Sequence, residues 1–184
     1  THNPPMSMAL TTPGWFAEHS ALMRRGHRLG YAGVLVATEP VGRVVHSRAF
    51  GHEEVHFKLP ARDLATMQRG IEDVAQVLFE AGAEQVILPT HKLTALRSRS
   101  ECRRVPAAVS DTREFSLGSA HPQGGNPWSM DPELGVVGDD FAVHGFENLF
   151  VCDASVFPCG IGVNPIETIL ALSKHAARSI LARA

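Results

Sequence analysis

Leu149-Phe150-Val151-Cys152-Asp153-Ala154-Ser155 is followed, after four more residues, by Gly160-Ile161-Gly162-Val163-Asn164-Pro165-Ile166-Glu167-Thr168-Ile169. The first stretch is an apolar run closed by an acid and small residues, as in a buried strand whose carboxyl end meets a ligand in an α/β sheet. An ordinary strand with a capped turn fits the same letters. The second stretch opens a helix, with Asn164 at the N-cap, Pro165 at the first helical position and Glu167 at the third, the arrangement of a capping box. From there Ile166, Ile169, Leu170, Ala177, Ile180 and Leu181 share one face around Ser173, and a face of that kind should pack against a sheet.

Asn164 has two readings. As a cap, it only closes the helix start. As a binding residue, it gains meaning from Gly160 and Gly162 upstream, which let backbone approach a ligand closely. The helix start also offers free N–H groups and a partial positive charge to an anionic or electron-rich group. Upstream, Ala120-His121-Pro122-Gln123-Gly124-Gly125-Asn126-Pro127 is too rich in Gly and Pro for regular structure. A histidine on such a rigid loop is an acid/base candidate, because its ordinary pKa lies near neutrality. The other nine of the ten histidines form no tight metal-ligand spacing, so no metal site is expected. Cys152 lies inside the apolar run, where a thiolate is costly, and nothing local marks Cys159 as reactive.

The earlier part of the chain reads as strands and helices in alternation. Trp15 to Arg25 forms a short helix ended by Gly26. Gly33 to Ala37 and Arg43 to His46 form a β-hairpin about Thr38–Gly42. Val55, Phe57 and Leu59 alternate with polar residues, as in a strand with one buried face. Leu64, Met67, Ile71, Val74, Leu78 and Ala81 recur at helical spacing before Gly82. Gln85 to Leu88 reads as another strand, and Arg97 to Arg104 as a solvated basic loop.

Composition narrows the classes of function. The 184 residues, 44% hydrophobic, suffice for one substantial core or two small ones. Seventeen basic against nineteen acidic residues give a net charge of −2, a poor field for nucleic acid or an anionic membrane. No run reaches the roughly 20 apolar residues of a membrane span, and the amino terminus lacks a signal-peptide layout. Three cysteines without a close pair suit a reducing compartment, so a cytoplasmic location is expected.

His121-Pro122-Gln123-Gly124-Gly125, the stretch Val143 to Pro158 and the stretch Gly162 to Ile169 together resemble the carboxyl-terminal part of a glucose-methanol-choline (GMC) flavoprotein oxidoreductase. Phe57-Lys58-Leu59-Pro60 and Ala81-Gly82-Ala83 resemble that family's substrate domain more loosely. The resemblance implies an α+β fold: an antiparallel sheet with helices packed on one side, plus a terminal strand and helix that complete an FAD-binding domain. It divides the chain into a substrate-binding domain, 1–115, and a segment, 116–184, that carries the catalytic loop and completes the FAD-binding domain.

By the same resemblance His121 takes the substrate hydroxyl proton and Asn164 orients the oxygen. Asp153 and Ala154 approach FAD, and Asn164, Pro165 and Ile166 at the helix start stabilise the reduced flavin. Two departures bear on substrate preference: Gly125 stands where many members have Thr, and Trp128-Ser129-Met130 replaces a frequent Met-Gly pair. The pairing of His121-Pro122-Gln123-Gly124-Gly125 with Asn164-Pro165 is similar to the cholesterol oxidase branch and implies a bulky apolar alcohol.

The family's Gly-x-Gly-x-x-Gly fingerprint does not occur in the 184 residues, and the first residue is Thr1 rather than Met. The expectation is the carboxyl-terminal half of a flavin-dependent alcohol oxidase or dehydrogenase. Its partners are a small-molecule alcohol and an amino-terminal FAD-binding segment or subunit. The alternative is a non-catalytic assembly or binding subunit of a flavoprotein complex.

Overall fold

A computed structural model describes residues 5–183. They form two compact units, one of residues up to Val36 with Ala61–Gly118, the other of Ala37–Pro60 with residues from Ser119 onward.

The first unit is organised by one long helix. Its elements are α1 (Pro5–Thr11), α2 (Ala17–Arg24), α3 (Ala61–Glu80), β3 (Val86–Ile87), β4 (Ala95–Leu96) and α4 (Val105–Ala108), numbered along the whole chain. The apolar spacing predicted α3, and its inner face delivers Ile71 and Ala75 to the core, with Leu64, Met67 and Leu78 packed against them. The helix stops at Gly82, whose φ of +93° disfavours any residue with a β-carbon. There the Gly82 N–H donates to the Phe79 carbonyl at 3.0 Å and the Ala83 N–H to the Leu78 carbonyl at 3.0 Å. That crossed pair of bonds satisfies carbonyls the helix end leaves open.

β3 and β4 pair antiparallel, Val86 opposite Leu96 and Ile87 opposite Ala95. Val86, Leu88 and Leu96 join Ile71, Ala75, Cys102, Val105, Val109 and Phe115 in one continuous core. The basic stretch expected as a solvated loop is instead a 3₁₀ helix, Arg99–Arg104. Its three-residue period places Cys102 and Val105 on one side, and both are fully buried while the arginines point outward.

The expected hairpin of residues 33–37 with 43–46 does not form, and the second of these segments pairs with a different partner. Residues 33–37 form no strand. Val34 is instead seated directly on the backbone of α3, where a β-carbon at Gly70 would lie 2.6 Å from Val34 Cγ1. β1 (Arg43–Ser47) pairs instead with β2 (His52–His56), with Val44 opposite Val55 and His46 opposite Glu53. Gly51, at φ +67°, closes the turn by donating to the Ser47 carbonyl at 2.8 Å. No residue of either strand is buried, and Val55 is 76% exposed. The one-sided burial expected for Val55, Phe57 and Leu59 is reached only by Leu59, beyond the end of β2. The α+β class and its antiparallel strands therefore hold, as two separate two-stranded ribbons rather than one sheet.

The second unit is mostly irregular from Ser119 to Pro165. Isolated bridges join Trp128 to Val137, Val137 to Val143 and Ala142 to Phe150. Leu149–Val151, expected as a strand, amounts to the last of these, flanked by bonds from the Val143 N–H to the Leu149 carbonyl, 2.8 Å, and from the Val151 N–H to the Phe141 carbonyl, 3.0 Å. A strand exists only as far as its partner runs, and Phe141–Val143 offers three residues before the chain turns at Gly145, φ +81°.

α5 (Ile166–Leu181) lies where the periodicity put it, and part of the expected face is packed. Ala176 is fully buried, Ile169 and Leu172 pack on a core of Val137, Val156 and Phe157, and the Ser173 hydroxyl donates to the Cys152 carbonyl at 3.0 Å. Ile166 and Leu170, each 65% exposed, and Leu181, 75% exposed, point away. The core beneath α5 is a set of loops and turns, and the seam takes Ile169 and Ser173 from the expected face together with Leu172 and Ala176 beside it. Arg183 closes the unit, bonding Asp140 at 2.5 Å and lying over the Phe150 ring. Among the described residues no helix is long and apolar enough to cross a membrane.

Candidate active site

Three loops of the second unit converge at the start of α5. The loop after Ala120 turns through Gly124 and Gly125, at φ +79° and +104°. It then runs beside residues 154–156: the N–H groups of Gly124, Asn126 and Trp128 donate to the carbonyls of Ala154, Ser155 and Val156 at 3.2, 3.0 and 2.9 Å. The Asn126 carboxamide adds a bond to the Ser155 hydroxyl at 3.0 Å. Glycine is favoured where the chain makes this double left-handed turn, since other residues reach that region only at a cost.

On the facing side, Asp153 accepts the Ser155 N–H at 2.8 Å and caps the 3₁₀ turn Ala154–Val156. The Ser155 hydroxyl and its backbone N–H hold the Asp153 carboxyl below the usual carboxylate range. The third loop, Gly160–Asn164, passes through Gly162 at φ +75° into α5. It is tied to the first by the Ile161 N–H, which donates to the Gln123 side-chain oxygen at 3.1 Å.

An open cavity of about 380 Å³ lies between these loops, lined by Ala120, His121, Pro122, Ala154, Asn164, Pro165, Ile166 and Ile169. Of the residues expected at a site, His121, Ala154, Asn164, Pro165 and Ile166 come together in this one wall. Asp153 does not line it; its carboxylate is turned to Ser155 and acts on the cavity by fixing Ala154.

The capping reading of Asn164 is corrected. α5 starts one residue later than a capping box needs: Pro165 holds the N-cap position without a side-chain bond, and the first helical bond runs from the Ile169 N–H to the Pro165 carbonyl at 2.8 Å. Proline's fixed φ and missing N–H suit it to the junction itself. The Asn164 side chain has no hydrogen-bond partner among the described residues and is left to face the cavity. The N–H groups of Ile166, Glu167 and Thr168 are likewise unpaired among the described residues, so the positive end of the helix dipole is open. The imidazole of half-buried His121 also has no partner among the described residues, and only its backbone N–H is engaged, with Ser119 at 3.2 Å.

Chemically, the wall offers a ring nitrogen for a proton, a carboxamide for an oxygen and helix N–H groups for developing negative charge, set in an apolar surface. Sequence reasoning did not single out Gln123, although it lies two residues from His121 in the motif.

A family model described as GMC oxidoreductase, for the carboxyl-terminal part of these proteins, matches residues 39–173. The chain is 27% identical, over 183 residues and 100% of its length, to the uncharacterized GMC-type oxidoreductase Rv0492c of Mycobacterium tuberculosis, of which it spans 29%. It is 27% identical over 127 residues to the long-chain-alcohol oxidase FAO4A of Arabidopsis thaliana, covering 65% of the chain and 18% of the relative. A cholesterol oxidase of Acinetobacter baumannii is 40% identical over 65 residues, 35% of the chain and 12% of that protein. With the family model covering most of the chain, this protein belongs to the GMC oxidoreductase family.

Proposed function

We propose that the chain supplies the substrate side of a flavin-dependent alcohol oxidase or dehydrogenase, completed by an amino-terminal FAD-binding segment or subunit. The observation that carries this reading is the meeting of His121 and Asn164, both without hydrogen-bond partners among the described residues, at the uncapped start of α5. FAD fits the surface offered. Ala120, Pro122, Ala154, Pro165 and Ile169 suit a flat ring, and the N–H groups of Ile166 to Thr168 suit its electron-rich edge. When bound, FAD supplies the acceptor for the hydride that leaves the CH–OH carbon.

In this reading the His121 ring nitrogen accepts the hydroxyl proton as the carbonyl forms, and Asn164 donates to the alcohol oxygen and fixes its direction. The open end of α5 stabilises the negative charge gained in the reduced state. The likeness to a long-chain-alcohol oxidase and to a cholesterol oxidase supports an apolar alcohol as substrate. The exposed stripe Ile166, Leu170 and Leu181 supports a covering partner, for which the missing flavin-binding part is the natural occupant.

The test is His121→Ala in the complete protein. Alcohol-dependent bleaching of the flavin should slow roughly 10²- to 10⁴-fold, with bound flavin and melting temperature unchanged because the ring holds nothing else in place. A near-normal rate would remove His121 from the chemistry.

A further inference from the structure

We infer that Gln123 is the positioning residue that sets His121 against Asn164. The two cavity residues lie on different loops. Among the described residues, the side-chain bond linking the two loops runs from the Ile161 N–H to the Gln123 side-chain oxygen at 3.1 Å. Gln123 follows His121 by two residues and Ile161 precedes Asn164 by three, so this bond closes a short ring of chain around the cavity wall. Both residues are half-buried, where a backbone N–H without an acceptor is costly and the bond is correspondingly well defined. On its other side the His121 loop is held by backbone bonds to the 3₁₀ turn 154–156, which tie it to that turn but leave its distance from the Asn164 loop open. Gln123 sets that distance.

The inference rests on the proposed roles of His121 and Asn164. Gln123 itself touches no reacting atom. Its effect should fall on the fraction of encounters in which proton acceptor and oxygen-orienting amide are correctly placed, so it should appear in kcat rather than in KM.

The test uses the complete protein and two variants of nearly unchanged shape. Gln123→Met removes the acceptor and Gln123→Glu retains one. The first readout is hydrogen exchange at the Ile161 amide, independent of any activity. It should be protected in the wild type and in Gln123→Glu, and should exchange at least about tenfold faster in Gln123→Met. The second is the rate of alcohol-dependent flavin bleaching. Gln123→Met should lower it by about 10- to 100-fold with KM within a factor of about three, and Gln123→Glu should restore most of it. On a His121→Ala background, Gln123→Met should cost nothing further, because there is no longer a base to place.

A wild-type Ile161 amide that exchanges freely overturns the inference, as does full activity of Gln123→Met in a protein that His121→Ala silences. Gln123→Met that fails to fold or to keep flavin would make Gln123 structural and overturn it as well. If instead His121→Ala is active, the function proposed above fails. Protection of the Ile161 amide then still decides whether Gln123 joins the loops.

Discussion

The two units solve the same problem with different means. The first buries nine residues in one core under a twenty-residue helix whose ends and inner face are settled by its own sequence. The second has a smaller buried cluster of Val137, Val156 and Phe157, with Phe141, Ala142 and Ala176 buried outside it, and joins its loops by backbone bonds. Burial is nondirectional and tolerates relaxation, whereas loop-to-loop hydrogen bonds fix position but add little net stability. The candidate site lies in the second kind of structure. Position is what acid/base chemistry needs, and a site built from loops on a small core gives position priority over stability.

The largest effect that would sharpen this contrast is expected in the first unit. Leu96→Ala empties a fully buried place in the nine-residue core and should cost about 2–5 kcal/mol by denaturant unfolding. Hydrogen exchange around residues 121–126 should be unchanged below the unfolding transition. If that loop loosened in step with the core, the two units would be one cooperative structure and the contrast would fail.

A smaller effect compares one device used in both. Asp111 and Asp153 each accept the backbone N–H two residues ahead and cap a 3₁₀ turn, at Thr112–Glu114 and Ala154–Val156. The Arg113 guanidinium, with its backbone N–H, holds Asp111 down to about 2. The Ser155 hydroxyl and backbone N–H lower Asp153. A carboxyl lowered by folding stabilises the protein above its unfolded pKa, and that contribution is lost as pH falls toward the folded value. Asp153→Ala should therefore cost about 1 kcal/mol at neutral pH, and its difference from wild type should shrink as pH drops below about 4. The Asp111 turn should persist further into acid. Carboxyl chemical shifts followed by NMR would check the order of the two titrations.

The smallest effect is expected at Asn164. With no capping bond to lose, Asn164→Ala and Asn164→Ser should both leave stability within about 0.5 kcal/mol of wild type, while alcohol-dependent flavin bleaching slows. A loss of stability equal to that of Asp153→Ala would restore Asn164 as a cap and remove its separate role.

What the sequence made legible follows the same division. α3 was readable because a long amphipathic period with a glycine stop is complete in itself. α5 was readable as a helix, with Ile169 and Ser173 on its packed stripe, whereas the burial of Leu172 and Ala176 in place of Ile166 and Leu170 was not, because that choice depends on what lies beneath. The strand partner of β1 was not legible, since the segment expected there places Val34 against Gly70 of α3, far along the chain. At the site, Gly and Pro marked the loops of His121 and Asn164 as irregular and close-approaching. The capping box misled because it judges Asn164 by its next three residues, while Pro165 takes the junction. Gln123 stayed hidden because its partner is 38 residues away and is a backbone group, which carries no side-chain signature.

The ladder from Gly124, Asn126 and Trp128 to residues 154–156 has a consequence for how such a site changes over generations. Every rung is a main-chain N–H meeting a main-chain carbonyl, so substitutions along the loop leave the rungs intact provided the backbone path survives. Exposed Trp128 is then free to vary, whereas Gly124 and Gly125, both at positive φ, are constrained by the turn. Side chains on the outer face of the loop can therefore drift while the placement of the imidazole is inherited unchanged.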